Sequence, residues 1–146
     1  FPHLRSLVLN QSNHVSVKFT SFSELTTLTV NDEAKKVRLA FPVSLRRVAL
    51  IRVASFEEYA KALANCTNLT ALTIIKNFVE NCSEQLVWAL NAAMERLVGL
   101  KRLHLEIKTN AVSVPLSLVA LTYTAIHAPD LRGLTNLRRL DLTNST

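Results

Sequence analysis

The sequence predicts an α/β solenoid built on a parallel sheet of seven strands. The pattern L-x-x-L-x-L, with other apolar residues in place of some leucines, occurs seven times, and its copies begin at Leu4, Leu25, Leu45, Leu69, Leu100, Leu118 and Leu137. Each copy alternates apolar and polar residues, as a strand with one buried face does. The copies begin 18 to 31 residues apart. Strands repeated at such intervals bury their apolar faces by stacking on their neighbours.

Length and composition fit a single domain over residues 1–146. A hydrophobic fraction of 49% supplies a core, and apolar runs stay short of the roughly 18 residues that span a bilayer, so no transmembrane segment is predicted. The only two glycines, Gly99 and Gly133, lie far apart in the sequence, which excludes the glycine-rich dinucleotide and P-loop motifs. The chain begins without Met or a signal peptide, and we expect it to be a segment of a longer protein whose other repeats or domains flank it.

Between the strands, the sequence predicts helices only in the middle repeats. Ser55–Glu58 is a capping box, and helix-favouring residues after it predict a helix over about 56–64. Apolar residues from Leu86 to Leu97 recur at helical spacing and predict a second helix over about 84–97. Gly99 would be the glycine just beyond its carboxyl end. The other connections lack a helical period, so we expect extended or irregular structure there.

The repeated strand pattern resembles that of the leucine-rich repeat superfamily over the whole chain. Leu69–Asn77 matches that family's strand motif, L-x-x-L-x-I-x-x-N, in full. Asn65–Leu69 is similar to the C-x-x-L start of ribonuclease-inhibitor-like, cysteine-containing repeats. Pro42–Leu45 and Pro115–Leu118 resemble the P-x-S-L start of irregular repeats in protists and bacterial surface proteins. The resemblance implies a horseshoe with the sheet on its concave side, and a binding module rather than an enzyme.

The resemblance also implies that the third and fifth motif positions face the concave side. The third positions are Ser6, Thr27, Arg47, Ala71, Arg102, Ala120 and Arg139. The fifth positions are Val8, Thr29, Ala49, Thr73, His104, Thr122 and Asp141. Among these, His104 and Asp141 are candidate binding residues in addition to the arginines.

Basic residues concentrate along one edge of the predicted sheet. The net charge is +6, and 7 of the 17 basic residues occupy the 14 second and third motif positions, without an acid among them. They are Arg5, Arg46, Arg47, Lys101, Arg102, Arg138 and Arg139. We interpret them as a basic edge that binds an acidic protein surface or phosphates. The alternative is a row of solvated cations whose aliphatic stems cover the core.

Other chemistries are disfavoured. Nucleic-acid binding needs aromatic residues beside the cations, and the only aromatic in the strands, Tyr123, occupies a core position. The four histidines are scattered: His3, His14, His104 and His127. None has an acid or cysteine at metal-ligand spacing, so neither a metal nor another cofactor is predicted. Cys66 is interpreted as a small core residue rather than a reactive thiol, and Trp88 as a half-buried structural residue rather than a partner contact.

Two functions stay open. The first is a protein–protein interaction module that serves as the recognition part of an adaptor or sensor. The second is a secreted or surface-exposed adhesion or receptor ectodomain with N-glycans. Five N-x-[S/T] sequons, against about two expected by chance, support the second: Asn10, Asn65, Asn68, Asn81 and Asn144. Because the repeat itself favours asparagine at Asn10 and Asn144, we favour an intracellular location and keep the extracellular one as the alternative.

Overall fold

The computed structural model describes residues 3–10, 19–31, 40–53, 56–76, 84–107, 112–125 and 130–144. These residues form an open, seven-stranded, all-parallel sheet and two helices, so the predicted parallel sheet is confirmed. The strands follow one another across the sheet in sequence order. They are β1 (Ser6–Asn10), β2 (Thr27–Asn31), β3 (Arg47–Ile51), β4 (Ala71–Ile75), β5 (Arg102–Glu106), β6 (Ala120–Ala125) and β7 (Arg139–Asn144).

Neighbouring strands are aligned so that equivalent motif positions lie side by side. The fourth position, for example, forms one row across the sheet: Leu7, Leu28, Val48, Leu72, Leu103, Leu121 and Leu140. In the five inner motifs, the first, fourth and sixth positions are at most 3% exposed. The alternation seen in the sequence therefore separates a buried face from a more accessible one, as expected for a strand with side chains on both faces.

Each strand begins at the third motif position, two residues after the first leucine. The first leucine still belongs to a turn, because its N–H donates to the carbonyl three residues earlier, as Leu45 does to Pro42 at 3.3 Å. The carbonyl of the second residue then accepts two N–H groups from the next motif. Arg46, for example, accepts from Thr70 at 2.8 Å and from Ala71 at 3.1 Å. The regular ladder therefore starts only after this shared acceptor.

From the second motif to the seventh, an apolar residue lies three residues before the first leucine, although different residue types occupy this position. Its members are Phe22, Pro42, Cys66, Leu97, Pro115 and Leu134. In each case the carbonyl accepts the N–H of the following leucine at 3.0–3.4 Å. The cysteine-type and proline-type motif starts, which look different in sequence, thus make the same turn in the structure.

The two helices lie in the connections after β3 and β4. Helix α1 (Phe56–Leu63) and helix α2 (Glu84–Arg96) agree with the predicted spans. Their apolar residues join the strand leucines in one hydrophobic cluster, and the helices contact each other. Neither of these described helices is long and apolar enough to cross a membrane. The capping serine predicted at Ser55 lies outside the described residues.

The prediction for Gly99 is wrong. A glycine that ends a helix in the left-handed conformation has a positive φ, and Gly99 does not; the described glycine that does is Gly133, at 83°. At Gly133 an added Cβ would also lie 3.2 Å from Leu116 Cδ2. Gly99 instead immediately precedes the first leucine of its motif, where an added Cβ would lie 3.9 Å from the Leu69 carbonyl oxygen.

Candidate functional site

The outer face is the side of the sheet opposite the buried leucines, formed by the third, fifth and seventh motif positions. The register aligns the third positions in one row from Ser6 to Arg139 and the fifth positions in the next row from Val8 to Asp141. Most of these side chains are half-buried, whereas those on β1 and β7, together with Arg47 and Arg102, are exposed. The residues that the sequence assigns to the concave face therefore lie together in two adjacent rows.

The basic edge consists of the seven cations at the second and third motif positions. They are Arg5, Arg46, Arg47, Lys101, Arg102, Arg138 and Arg139, and all seven are exposed. Third-position residues begin the strands and second-position residues immediately precede them. In a parallel sheet these positions share one end, so the basic edge lies along the amino-terminal end of the strands.

The cations occupy alternate strands, which the sequence analysis missed. At the second position, Arg5, Arg46, Lys101 and Arg138 precede odd-numbered strands, whereas Thr26, Thr70 and Val119 precede even-numbered ones. At the third position, Arg47, Arg102 and Arg139 lie on odd strands, and Thr27, Ala71 and Ala120 lie on even ones. The signal was present in the sequence, because aligning the seven motifs displays the alternation column by column.

One end of the basic edge is partly neutralised. Glu24 lies with Oε2 3.9 Å from Arg5 Nε and with Oε1 3.2 Å from His3 Nδ1. Among the described residues, no carboxylate forms an ion pair with any of the other six cations of the basic edge. The six cations next to β3, β5 and β7 are therefore the part of the basic edge available to an acidic ligand.

His104 and Asp141 lie in the fifth-position row, separated by Thr122. His104 Nε2 lies 2.7 Å from Glu106 Oε1 on the same strand. Asp141 is exposed. On β5 and β7, the acidic residues Glu106 and Asp141 therefore follow the cations of the basic edge along the strand. The described outer face is cationic at the amino-terminal end of these two strands and of mixed charge further along them.

A depression of about 500 Å³ lies between two of the cations. It is lined by Lys101, Val119, Thr135, Asn136, Leu137 and Arg138. Val119 precedes the even-numbered strand between the two cationic ones. A second cavity, of about 330 Å³, lies beside the carboxyl end of α2 and includes Met94, Val98 and Leu116 in its lining. No residue of the basic edge lines this second cavity.

Three of the five sequon asparagines are described with their side chains, and all three are exposed: Asn10, Asn65 and Asn68. Asn10 Oδ1 accepts a hydrogen bond from Asn31 Nδ2 at 2.6 Å on the outer face. Asn68 Nδ2 donates to the Val43 carbonyl at 3.1 Å. Asn81 and the side chain of Asn144 lie outside the described part of the chain.

Of the remaining candidates, Cys66 is fully buried and is a free thiol. Burial raises the pKa of this thiol from 9.0 to about 12, so the interpretation of a core residue is confirmed. The interpretation of Trp88 as half-buried is wrong, because its side chain is 82% exposed on α2. Within the described ranges, no three His, Cys, Asp or Glu side chains cluster as metal ligands.

No protein-family model matches the chain, and curated proteins give no significant match. Function is therefore inferred from the chain's own residues, above all from the exposed cations of the basic edge and the rows of the outer face.

Proposed function

We propose that the chain is a leucine-rich repeat module that binds a protein partner through the outer face and the basic edge. The sheet would form the concave side of a horseshoe-shaped solenoid, and binding would serve recognition in an adaptor or sensor. The observation that supports this most is the group of six exposed cations next to β3, β5 and β7, without a carboxylate partner among the described residues. Such a surface favours an acidic partner.

The arrangement of these cations favours binding over a purely structural role. Three of the motifs contain two successive cations, as at Arg46 and Arg47, and accumulated charge of one sign destabilises the compact state through repulsion. An arginine guanidinium can donate two parallel hydrogen bonds to one carboxylate. A partner that brings carboxylates to the edge would relieve the repulsion and form these bonds at the same time.

Replacing three cations of the basic edge by Gln should weaken partner binding roughly tenfold at physiological salt, because three exposed ion pairs are lost. The edge variant is Arg47→Gln, Arg102→Gln and Arg139→Gln. The matched control is Lys61→Gln, Arg96→Gln and Arg132→Gln, which removes equal charge from exposed residues elsewhere. A photo-reactive residue at Thr122 of the outer face would report the partner as a cross-linked protein, and the same residue at Gln85 on α2 would be the reference.

The proposal is supported if a defined protein is cross-linked from Thr122 but not from Gln85. This cross-linked product should be lost in the edge variant and retained in the control variant. Binding of the unmodified module should also weaken as salt rises, since exposed ion pairs are screened. Equal cross-linking in the edge and control variants, or cross-linking only from α2, would contradict the proposal.

The alternative function is a glycosylated ectodomain at the cell surface. The exposure of Asn10, Asn65 and Asn68 favours it, because a glycan needs a solvent-facing acceptor. Glycosidase treatment of the protein from its native source should then lower its mass by the glycans removed. An unchanged mass, with unmodified asparagine at all five sequons, would eliminate this alternative.

A further inference from the structure

We propose that the basic edge binds an extended acidic segment of the partner that crosses the strands and has a carboxylate at every third residue. This binding mode rests on the proposed function and specifies the partner's chemistry. It follows from the spacing of the cations, from the residues between them and from the end of the edge that Glu24 already occupies.

The spacing of the cations is set by the sheet. Adjacent strands lie about 4.8 Å apart, so cations on alternate strands recur at about 9.6 Å. The register gives two such intervals in the third-position row: Arg47 and Arg102 lie on either side of Ala71, and Arg102 and Arg139 on either side of Ala120. The second-position row has the same alternation. A ligand that satisfies the edge must therefore present negative charges at this interval.

A polyproline II segment meets this requirement. It has three residues per turn and a rise of 3.1 Å, so every third side chain lies on one face at intervals of about 9.3 Å. A β-strand presents side chains on one face every 6.7 Å or so. An α-helix presents side chains on one face every three or four residues, about 5.4 Å apart. It approaches the interval between the cations only with every seventh residue, at about 10.5 Å, so three contacts would need a ligand of about fifteen residues.

The residues between the cations leave room for the ligand's other side chains. Thr70, Ala71, Val119 and Ala120 are small and uncharged. The depression of about 500 Å³ lies at Val119 between Lys101 and Arg138. Two spacer residues of the segment would cross this depression, while the carboxylates before and after them meet the cations of β5 and β7.

The number of strands with free cations sets how many carboxylates the basic edge can bind. Arg5 is already close to Glu24, so the free part of the basic edge extends from β3 to β7 and holds three carboxylates. Nucleic acid fits less well, because phosphates follow one another at much shorter intervals and the second and third motif positions contain no aromatic residue for stacking.

The test uses fluorescein-labelled peptides of one composition, each with three glutamates among prolines and serines. One peptide has Glu at every third position, and the other has Glu at alternate positions. Because net charge is equal, long-range attraction is the same, and we expect the first peptide to bind about fivefold more tightly by fluorescence anisotropy. A helical peptide with Glu at every seventh position and a single-stranded oligonucleotide of equal charge are the comparison ligands.

A charge-conserving variant tests the register directly. Arg102→Ala combined with Ala120→Arg moves one cation from β5 to the adjacent position on β6. Its net charge is unchanged, and circular dichroism would verify its fold. We expect the preference for the first peptide to fall well below fivefold in this variant. The interval between cations is lost from the third-position row and remains only at Arg46, Lys101 and Arg138 in the second-position row.

Equal affinity of the two peptides for the unmodified protein would overturn the spacing and leave the proposed function standing. The spacing would also be overturned by an undiminished preference in the variant with Arg102→Ala and Ala120→Arg, by tighter binding of the helical peptide, or by no binding of any peptide at low salt. Tighter binding of the oligonucleotide would overturn both the spacing and the protein partner. The cross-linking experiment at Thr122 tests the proposed function without using these peptides.

Discussion

Replacing Leu72 by Ala should lower the free energy of unfolding by about 3 kcal/mol, the usual cost of a leucine truncated in a closed core. Leu72 is 2% exposed on β4, the central strand, and pairs with Val48 on one side and Leu103 on the other. Removing its branched end leaves a cavity that two neighbouring strands and the helices behind them cannot close. Total stabilities of domains are about 5–15 kcal/mol, so the loss is a large part of the whole.

Leu140→Ala is the matched control, because Leu140 occupies the same motif position on β7. Its side chain is 43% exposed, so truncation should cost about 1 kcal/mol or less. Urea denaturation of the three proteins would give the free energies and show whether the denaturant dependence stays constant. Equal losses in the two variants would be inconsistent with β4 at the centre and β7 at the edge of one sheet.

The sheet could be predicted from sequence because its signal is local and repeated. Alternating side chains assign each motif a buried face, and a slip of one residue would expose the leucines, so equivalent positions such as Leu72 and Leu103 are forced into register. The helices were predictable for the same reason, since the apolar period from Leu86 to Leu97 lies within one segment.

The exact start of each strand could not be predicted, because it depends on contacts between motifs. The Arg46 carbonyl accepts two N–H groups from the following motif, and nothing near Arg46 in sequence indicates this. The equivalence of Pro42 and Cys66 likewise appears only in the backbone, where both carbonyls accept the N–H of a leucine three residues later.

The sequence shows which residues belong to the basic edge, but it does not show which acidic residues lie next to them. The motif assigns Arg5 to the edge, but its contact with Glu24 joins residues of two different motifs.

The burial of Trp88 was predicted wrongly. A large aromatic residue near an apolar stripe suggested partial burial, yet its position on the helix leaves it 82% exposed. Burial of a single side chain depends on which neighbours cover that side of the helix.

The stability of the chain should fall between pH 9 and pH 12 because of Cys66. Burial raises the pKa of its thiol from 9.0 to about 12. Below pH 9 the thiol is protonated in both states, so the pH has no effect through this group. Above pH 9 the unfolded chain releases a proton that the folded chain retains, and the free energy of unfolding decreases by at most about 1.4 kcal/mol per pH unit.

Cys66→Ala isolates this effect, because Tyr123, whose burial also raises its pKa, and the other titrating groups are present in both proteins. The variant should be less stable than the unmodified chain near neutral pH, since it loses a packed sulfur that lies 3.8 Å from the Ala62 carbonyl oxygen. As the pH rises towards roughly 11, the difference should shrink and then reverse, because only the unmodified chain pays the cost of keeping a thiol protonated. Urea midpoints of both proteins, measured across this pH range, would give the pH at which their stabilities are equal. Parallel curves would mean that the thiolate forms as readily in the folded chain as in the unfolded one, and that Cys66 is accessible to water in solution.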